Sequence, residues 1–293
     1  MKSIKKWLAL ATVIAVILAA AAWIYRPDDK VHVYFLNVGQ GDATLIRQGN
    51  VDILIDGGPS PQAIDTELGK RLPFWDRSIE LVVLTHPHAD HLAGLVEVLN
   101  RYQVGEVLYP ALATSDMGEH DQPLFDEWLR LISEKNIKSV LAQAYQELSV
   151  GDIVIDVLNP PASPLTGTES DIDNNSVVLQ VRVGDISFLV TGDLMWEGEH
   201  EMAYERLLPQ STVLKVAHHG SDTSTTDEFL NVLMPQIAVI SVGENDFGHP
   251  TQEVLDRLAG RLGAANIYRT DEDGTIEFIT DGQRLWVKDN KTS

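Results

Sequence analysis

Apolar and polar residues alternate with a period of two along VHVYFLNVG (Val31 to Gly39), ATLIRQG (Ala43 to Gly49) and VDILIDGG (Val51 to Gly58). Each run ends in glycine or turn-forming residues, so the spacing predicts three consecutive strands joined by tight turns, with Gln48 to Asn50 as a hairpin. The rhythm then changes. A helical stretch near Gln62 to Leu72 leads into the apolar run IELVVLT, read as a buried strand, followed by a helix from about His91 to Arg101 and a strand VGEVLYP.

LFDEWLRLISEKN carries apolar residues at helical spacing, while VIDVLNP, SVVLQVRVG and ISFLVTGD return to strands. A helix follows from about Glu197 to Leu208, then strands TVLKVAHHG and IAVISVG, a helix VLDRLAGRL, and short strands in YRT, TIEFIT and RLWVK. One long turn-rich segment, Pro160 to Asn175, lies between strands that pattern as sheet partners and reads as a rim loop. No linker interrupts the alternation, which predicts a single α/β domain with mixed sheets over 31–293.

The amino end departs from this pattern. Three lysines, Lys2, Lys5 and Lys6, precede an unbroken apolar stretch from Trp7 to Tyr25. Its length suits a transmembrane helix, and the basic flank holds the amino side in the cytoplasm, so the expectation is an uncleaved signal anchor over 1–26. A cleaved signal peptide is the alternative reading. Residues 27–30 form a polar linker, and the protein is expected at the cell membrane, single-pass, with an extracytoplasmic body.

Across the whole chain 22 Lys and Arg stand against 43 Asp and Glu, a formal charge of −21, so the global field repels polyanions and any nucleic-acid contact must be local. Cysteine is absent. That excludes disulfides and thiolate metal sites, leaving His, Asp and Glu as the strong ligands.

Four such ligands crowd into HPHADH directly after the IELVVLT strand, where α/β proteins place their chemistry. His86 and His88, two apart in extended backbone, project to one side; Asp90 and His91 fall at the turn into the next helix. Asp193 ends the ISFLV strand in TGD, either as a helix N-cap or as a ligand. KVAHHGS ends another strand with His218 and His219, of which strand alternation aims only one at a metal.

These motifs resemble those of the metallo-β-lactamase superfamily, and FLNVGQGDATLI, LTHPHADHLAG, NNSVVLQV, LVTGD, KVAHHGS and GHPTQEVL together resemble the extracytoplasmic metallo-β-lactamase domain of ComEC-type DNA-uptake proteins. The resemblance implies an αββα sandwich holding two divalent ions, zinc or manganese. It implies that His86 and His88 serve one ion, Asp90 and His91 its neighbour, with Asp193 bridging and His219 completing the shell. A histidine that many members carry on a middle strand has no counterpart here. Asn174 or Asn175 occupies that region, as a neutral ligand, a substrate contact or a turn former.

Further candidates cluster on the same rim. Asp42 in GQGDA either reaches the pocket or stabilises a glycine turn. His249 in FGHP is a phosphate contact or proton donor, or caps a helix. His218, Asn174, Asn175 and Ser221 are expected on the substrate side, and Asp90, His249 and Asp42 among catalytic groups. Two divalent ions would lower the pKa of a bound water toward neutrality, so the resemblance implies a metal-dependent phosphodiesterase or nuclease, with DNA as substrate and a DNA-uptake apparatus as partner. A phosphorylcholine esterase or lactone or ester hydrolase of the same fold, and a non-catalytic tethered binding module, are the competing readings.

Overall fold

The computed structural model describes residues 2–24, 28–111 and 117–289, with side chains over 4–19 and from 28 onward. The end of the expected anchor, the start of the linker and the last four residues of the expected domain lie outside the described residues. A helix α1 runs Lys2–Ile24, exposed throughout its described side chains. Among the described residues no helix is long and apolar enough to cross a membrane. The expectation of a single-pass membrane protein with an extracytoplasmic body is corrected accordingly.

The first half of the domain builds β1 (Val31–Phe35), β2 (Thr44–Gln48), β3 (Val51–Ile55), α2 (Pro61–Arg71), β4 (Ser78–Val83), α3 (Ala89–Arg101), β5 (Gln103–Pro110), α4 (Asp121–Lys135) and β6 (Lys138–Ala142). Gln48 faces Val51 across the expected hairpin. Helix α2 begins where Pro61 fixes the first-turn geometry and Ser60 accepts a hydrogen bond from Ala63 N, a cap and proline pairing that starts helices.

The second half builds β7 (Glu147–Val150), β8 (Ile153–Asn159), α5 (Asp171–Asn174), β9 (Val178–Val183), β10 (Ile186–Val190), α6 (Trp196–Tyr204), β11 (Val213–Lys215), α7 (Asp227–Leu233), β12 (Ile237–Ile240), α8 (Gln252–Leu262), β13 (Ile267–Arg269), α9 (Thr270–Asp273), β14 (Ile276–Thr280) and β15 (Leu285–Lys288). Strands β6 and β7 and helices α5, α7 and α9 are elements the sequence reading did not place.

Two mixed sheets result among the described residues. One has the order β15-β14-β1-β2-β3-β4-β5-β6, the other β13-β12-β11-β10-β9-β8-β7. Alternation decides the layers. Val31, Val33 and Phe35 of β1 join Val181, Phe188 and Val213 of the second sheet in the core between the sheets. Leu81 and Val83 of β4 face the same core, while Val82 and Leu84 face α2, α3 and α4 with Leu68, Leu95 and Trp128. This is why IELVVLT is continuously apolar: a parallel strand covered on both faces has no polar side to show. The second sheet's outer face buries Phe229, Leu233, Val254 and Leu258 of α7 and α8, each contributing about 1.5–3 kcal/mol of burial. The expected αββα sandwich is the observed architecture.

Strand direction brings the motifs to one rim. β3 and β4 run parallel, as do β10, β11 and β12. Their carboxyl ends therefore carry Asp56, the HPHADH segment, Asp193, the two-histidine turn and His249 together. β9 runs antiparallel to β10, so its entry, Asp173 to Asn175, meets the same rim.

Candidate metal centre

His86 leaves β4 fully buried, its Nε2 3.1 Å from His88 Nδ1. Asp173, the last acidic residue before β9, sends Oδ1 to 3.5 Å from His86 Nε2 and 3.2 Å from His88 Nδ1. These three form one group able to hold a cation; Asp90, His91, Asp193 and His219 form a second, with ligand atoms within 4.8 Å of one another in each. Asp193 stands between them. Its Oδ1 lies 3.3 Å from His91 Nε2, and its Oδ2 lies 3.8 Å from His86 Nε2 and 3.4 Å from His219 Nε2. Asp90 Oδ2 completes the second group at 3.2 Å from His219 Nε2.

Asp173 was missed by sequence reasoning, although it sits beside the two asparagines the resemblance singled out. Those asparagines serve the scaffold. Asn174 donates to Ser170 O and Glu197 Oε2 and accepts from Gly198 N; Asn175 donates to Leu165 O and Asp171 O and accepts from Leu165 N. Together they lock the rim loop onto α5 and α6, which holds Asp173 in place.

The strand-alternation argument for the two histidines does not apply, because β11 ends at Lys215. His218 and His219 both adopt left-handed backbone, with φ of 51° and 53°. His219 is buried and donates from Nδ1 to Ser241 O, aiming Nε2 at Asp193. His218 is partly exposed, 3.9 Å from Asp193 Oδ2, and its ring centroid is 5.6 Å from that of His249. Both histidines thus approach Asp193, one from within and one from the open side. Ser221 hydrogen-bonds Thr223 within this turn.

Beneath the ligands lies a supporting layer. Asp56 accepts from Thr85 N at 2.8 Å, Thr85 Oγ1 at 2.7 Å and His91 Nδ1 at 2.9 Å, so His91 is left with Nε2 as its free ligand atom. Such carboxylate partners fix a histidine's tautomer. The backbone cooperates: Gly57 N donates to His91 O and Gly94 N to Gly58 O, an approach so close that a Cβ on Gly94 would collide with Gly57 O. Asp42 pairs with the fully buried Lys215, which also donates to Gly192 O at 3.1 Å and lies 4.0 Å from Asp193 Oδ1. A lysine inside the otherwise apolar VLKVA was the signal for this pair, and sequence reasoning passed over it.

Charge and burial compete here. Burial opposes ionisation of Asp193, but His219 and His91 outweigh it and hold the carboxylate well below its usual range. Burial likewise disfavours protonated His219, yet Asp193 and Asp42 push it up to about 10. His91 is raised well above the usual imidazole range by Asp193, Asp90 and Asp56 against burial. His86, where burial and then His91 act together, is held well below it.

The donor set fits a metal. His91 Nε2, Asp173 Oδ1 and Asp193 Oδ1 are buried without a hydrogen-bond partner. Each such orphan costs about 1–3 kcal/mol, and all three face the two ligand groups, where cations would satisfy them together. Nitrogen and oxygen ligands without thiolate suit zinc, manganese or iron.

Known proteins place this geometry. The chain is 29% identical over 266 residues to ComE operon protein 3 of Bacillus subtilis, covering 84% of this chain and 32% of that protein. It is 30% identical over 273 residues to competence protein ComA of Neisseria gonorrhoeae, covering 90% and 35%. The chain thus spans about a third of the length of these relatives. The crystal structure of the metallo-β-lactamase fold protein YhfI from Bacillus subtilis superposes with a TM-score of 0.54 at 12% identity, covering 89% of this chain and 100% of that one. The profile described as the metallo-β-lactamase superfamily matches residues 36–244, and with more than half its length so matched the chain belongs to that superfamily.

Proposed function

We propose that this metallo-β-lactamase superfamily hydrolase cleaves phosphodiester bonds in nucleic acid, with DNA its first substrate. The observation that carries the reading is Asp193 between two complete ligand groups on an otherwise acidic chain. Two cations held by His86, His88 and Asp173 on one side and Asp90, His91, Asp193 and His219 on the other reverse the sign of the local field. When bound, they supply Lewis-acid polarisation of the phosphoryl group and activation of water. The motif resemblance to ComEC-type DNA-uptake proteins supports DNA as substrate and an uptake apparatus as partner.

The chain's own residues do the rest. Asp56 holds the Nδ1 proton of His91, so that Nε2 is the atom left to face a metal, and Lys215 offsets the charge of Asp42 beneath the centre. On the open side His249 is held neutral near pH 7, because burial and then His218 and His219 lower its pKa. It therefore presents one N–H and one lone pair, which suits it to a phosphoryl oxygen or a leaving group's proton. His218 shares that side and contacts the substrate beside it.

The test is purified chain loaded with manganese or zinc, its metal content measured by elemental analysis, and offered DNA, RNA, a small phosphodiester, a phosphorylcholine ester and a lactone. Cleavage of nucleic acid that His88→Ala and Asp193→Ala abolish, with the fold retained, is expected. Intact nucleic acid under every metal, beside turnover of the lactone or choline ester, would replace this reading with an esterase one.

A further inference from the structure

Phe247 projects into solvent, 74% exposed, from the segment that follows β12. It is not a loose side chain. Asn245 Oδ1 accepts from both Phe247 N and His249 N at 3.1 Å, and Asn245 Nδ2 donates to Gly243 O at 2.9 Å and His249 O at 2.8 Å. Four hydrogen bonds to one side chain thus pin the turn that carries the ring.

One face of Phe247 is already occupied. It stacks on His249 with centroids 5.8 Å apart and planes 27° apart, and His249 meets His218 edge-on at 5.6 Å. His218 in turn borders Asp193. Three rings therefore lead from solvent to the metal centre, and the outermost keeps its second face open.

We propose that Phe247 is a stacking platform for an unpaired nucleobase next to the scissile phosphodiester, so that the substrate is single-stranded nucleic acid. The proposal rests on the phosphodiesterase reading above and narrows it. Every base offers a π-face, so stacking tolerates sequence and gives affinity where an acidic surface cannot track the backbone. A duplex covers both faces of its internal bases, whereas an unpaired base presents one. Aliphatic lactones and choline esters have no aromatic face to place there.

Steady-state kinetics of the metal-loaded chain test this with two strands of equal length, a single-stranded oligodeoxynucleotide and one built from abasic tetrahydrofuran phosphodiesters. Phe247→Ala and Phe247→Leu are expected to raise KM for the base-bearing strand about 5- to 150-fold, the range of one lost stacking contact, with kcat retained. Phe247→Trp restores KM, and none of the three changes KM for the abasic strand. Tyr204→Ala, an equally exposed ring at the end of α6, leaves both unchanged. Equal effects of Phe247→Ala on the two strands, or none on either, overturn the platform while the hydrolase reading stands. If the unaltered chain cleaves neither strand, the phosphodiesterase reading falls and takes the platform with it.

Discussion

Replacing Asp56 by Asn changes one atom in a buried triangle and tests whether the supporting layer controls the metal. Asp56 accepts three hydrogen bonds, from Thr85 N, Thr85 Oγ1 and His91 Nδ1, at 2.7–2.9 Å. An asparagine has one acceptor oxygen and one donor NH2 in their place. If its oxygen takes Thr85 N, the NH2 faces His91 Nδ1, which must become the acceptor and move its proton to Nε2, the ligand atom. If the amide turns over, the NH2 faces the Thr85 backbone N–H, and that buried donor loses its partner at about 1–3 kcal/mol. Either the metal or the fold must register the change. Loss of such a carboxylate commonly weakens metal binding by about 10–100-fold, which is about 1.4–2.8 kcal/mol. Competition against a chromophoric chelator reads the affinity, and urea unfolding of the metal-free protein reads the stability. An Asp56→Asn protein with both quantities unchanged would refute the argument that Asp56 sets the His91 tautomer.

Asp173→Asn is expected to empty the group around His86 and His88, so elemental analysis should fall toward one ion per chain; two tightly held ions would remove Asp173 from the ligand set. Metal binding near pH 7 should release about two protons, from His91 and His219, as metal and protons compete; calorimetry in buffers of different ionisation enthalpy counts them. The same shift fixes a pH window for the metal-free fold. His219 rises from 6.5 to about 10 on folding, so its contribution is complete below 6.5 and is lost as pH rises through about 10. Against burial, His91 and His219 lower Asp90 from 3.8 to about 2, so its contribution is lost as pH falls toward 2. Gly94→Ala should cost about 1–3 kcal/mol or more through collision with the Gly57 backbone; urea unfolding checks this, and an unchanged midpoint would mean the two segments can part freely.

The sequence revealed the parts of the fold that a strong period marks. The β2–β3 hairpin and the two-sided burial of β4 follow from alternation and from a continuous apolar run. β6 and β7 escaped because they are edge strands: KSVLA and ELSV show most of their side chains to solvent, so no buried face writes a period. α7 is seven residues long, too short for helical spacing to stand out. At the site, HPHADH was legible because its ligands are contiguous. Asp173 and Lys215 were not, since each gains its meaning only from segments distant in the chain. The two-histidine turn misled for a local reason: left-handed backbone at His218 and His219 cancels the up-and-down geometry of a strand.

The ligand groups draw on both halves of the sandwich: HPHADH hangs from one sheet, and Asp173, Asp193 and His219 hang from the other. Cations seated there would act as rivets across the seam. Free ion at a hundred times its dissociation constant adds about 2.7 kcal/mol against unfolding per site, so catalytic readiness and mechanical closure of the two walls become one quantity. Starving the protein of metal would then loosen the joint as it silenced the chemistry.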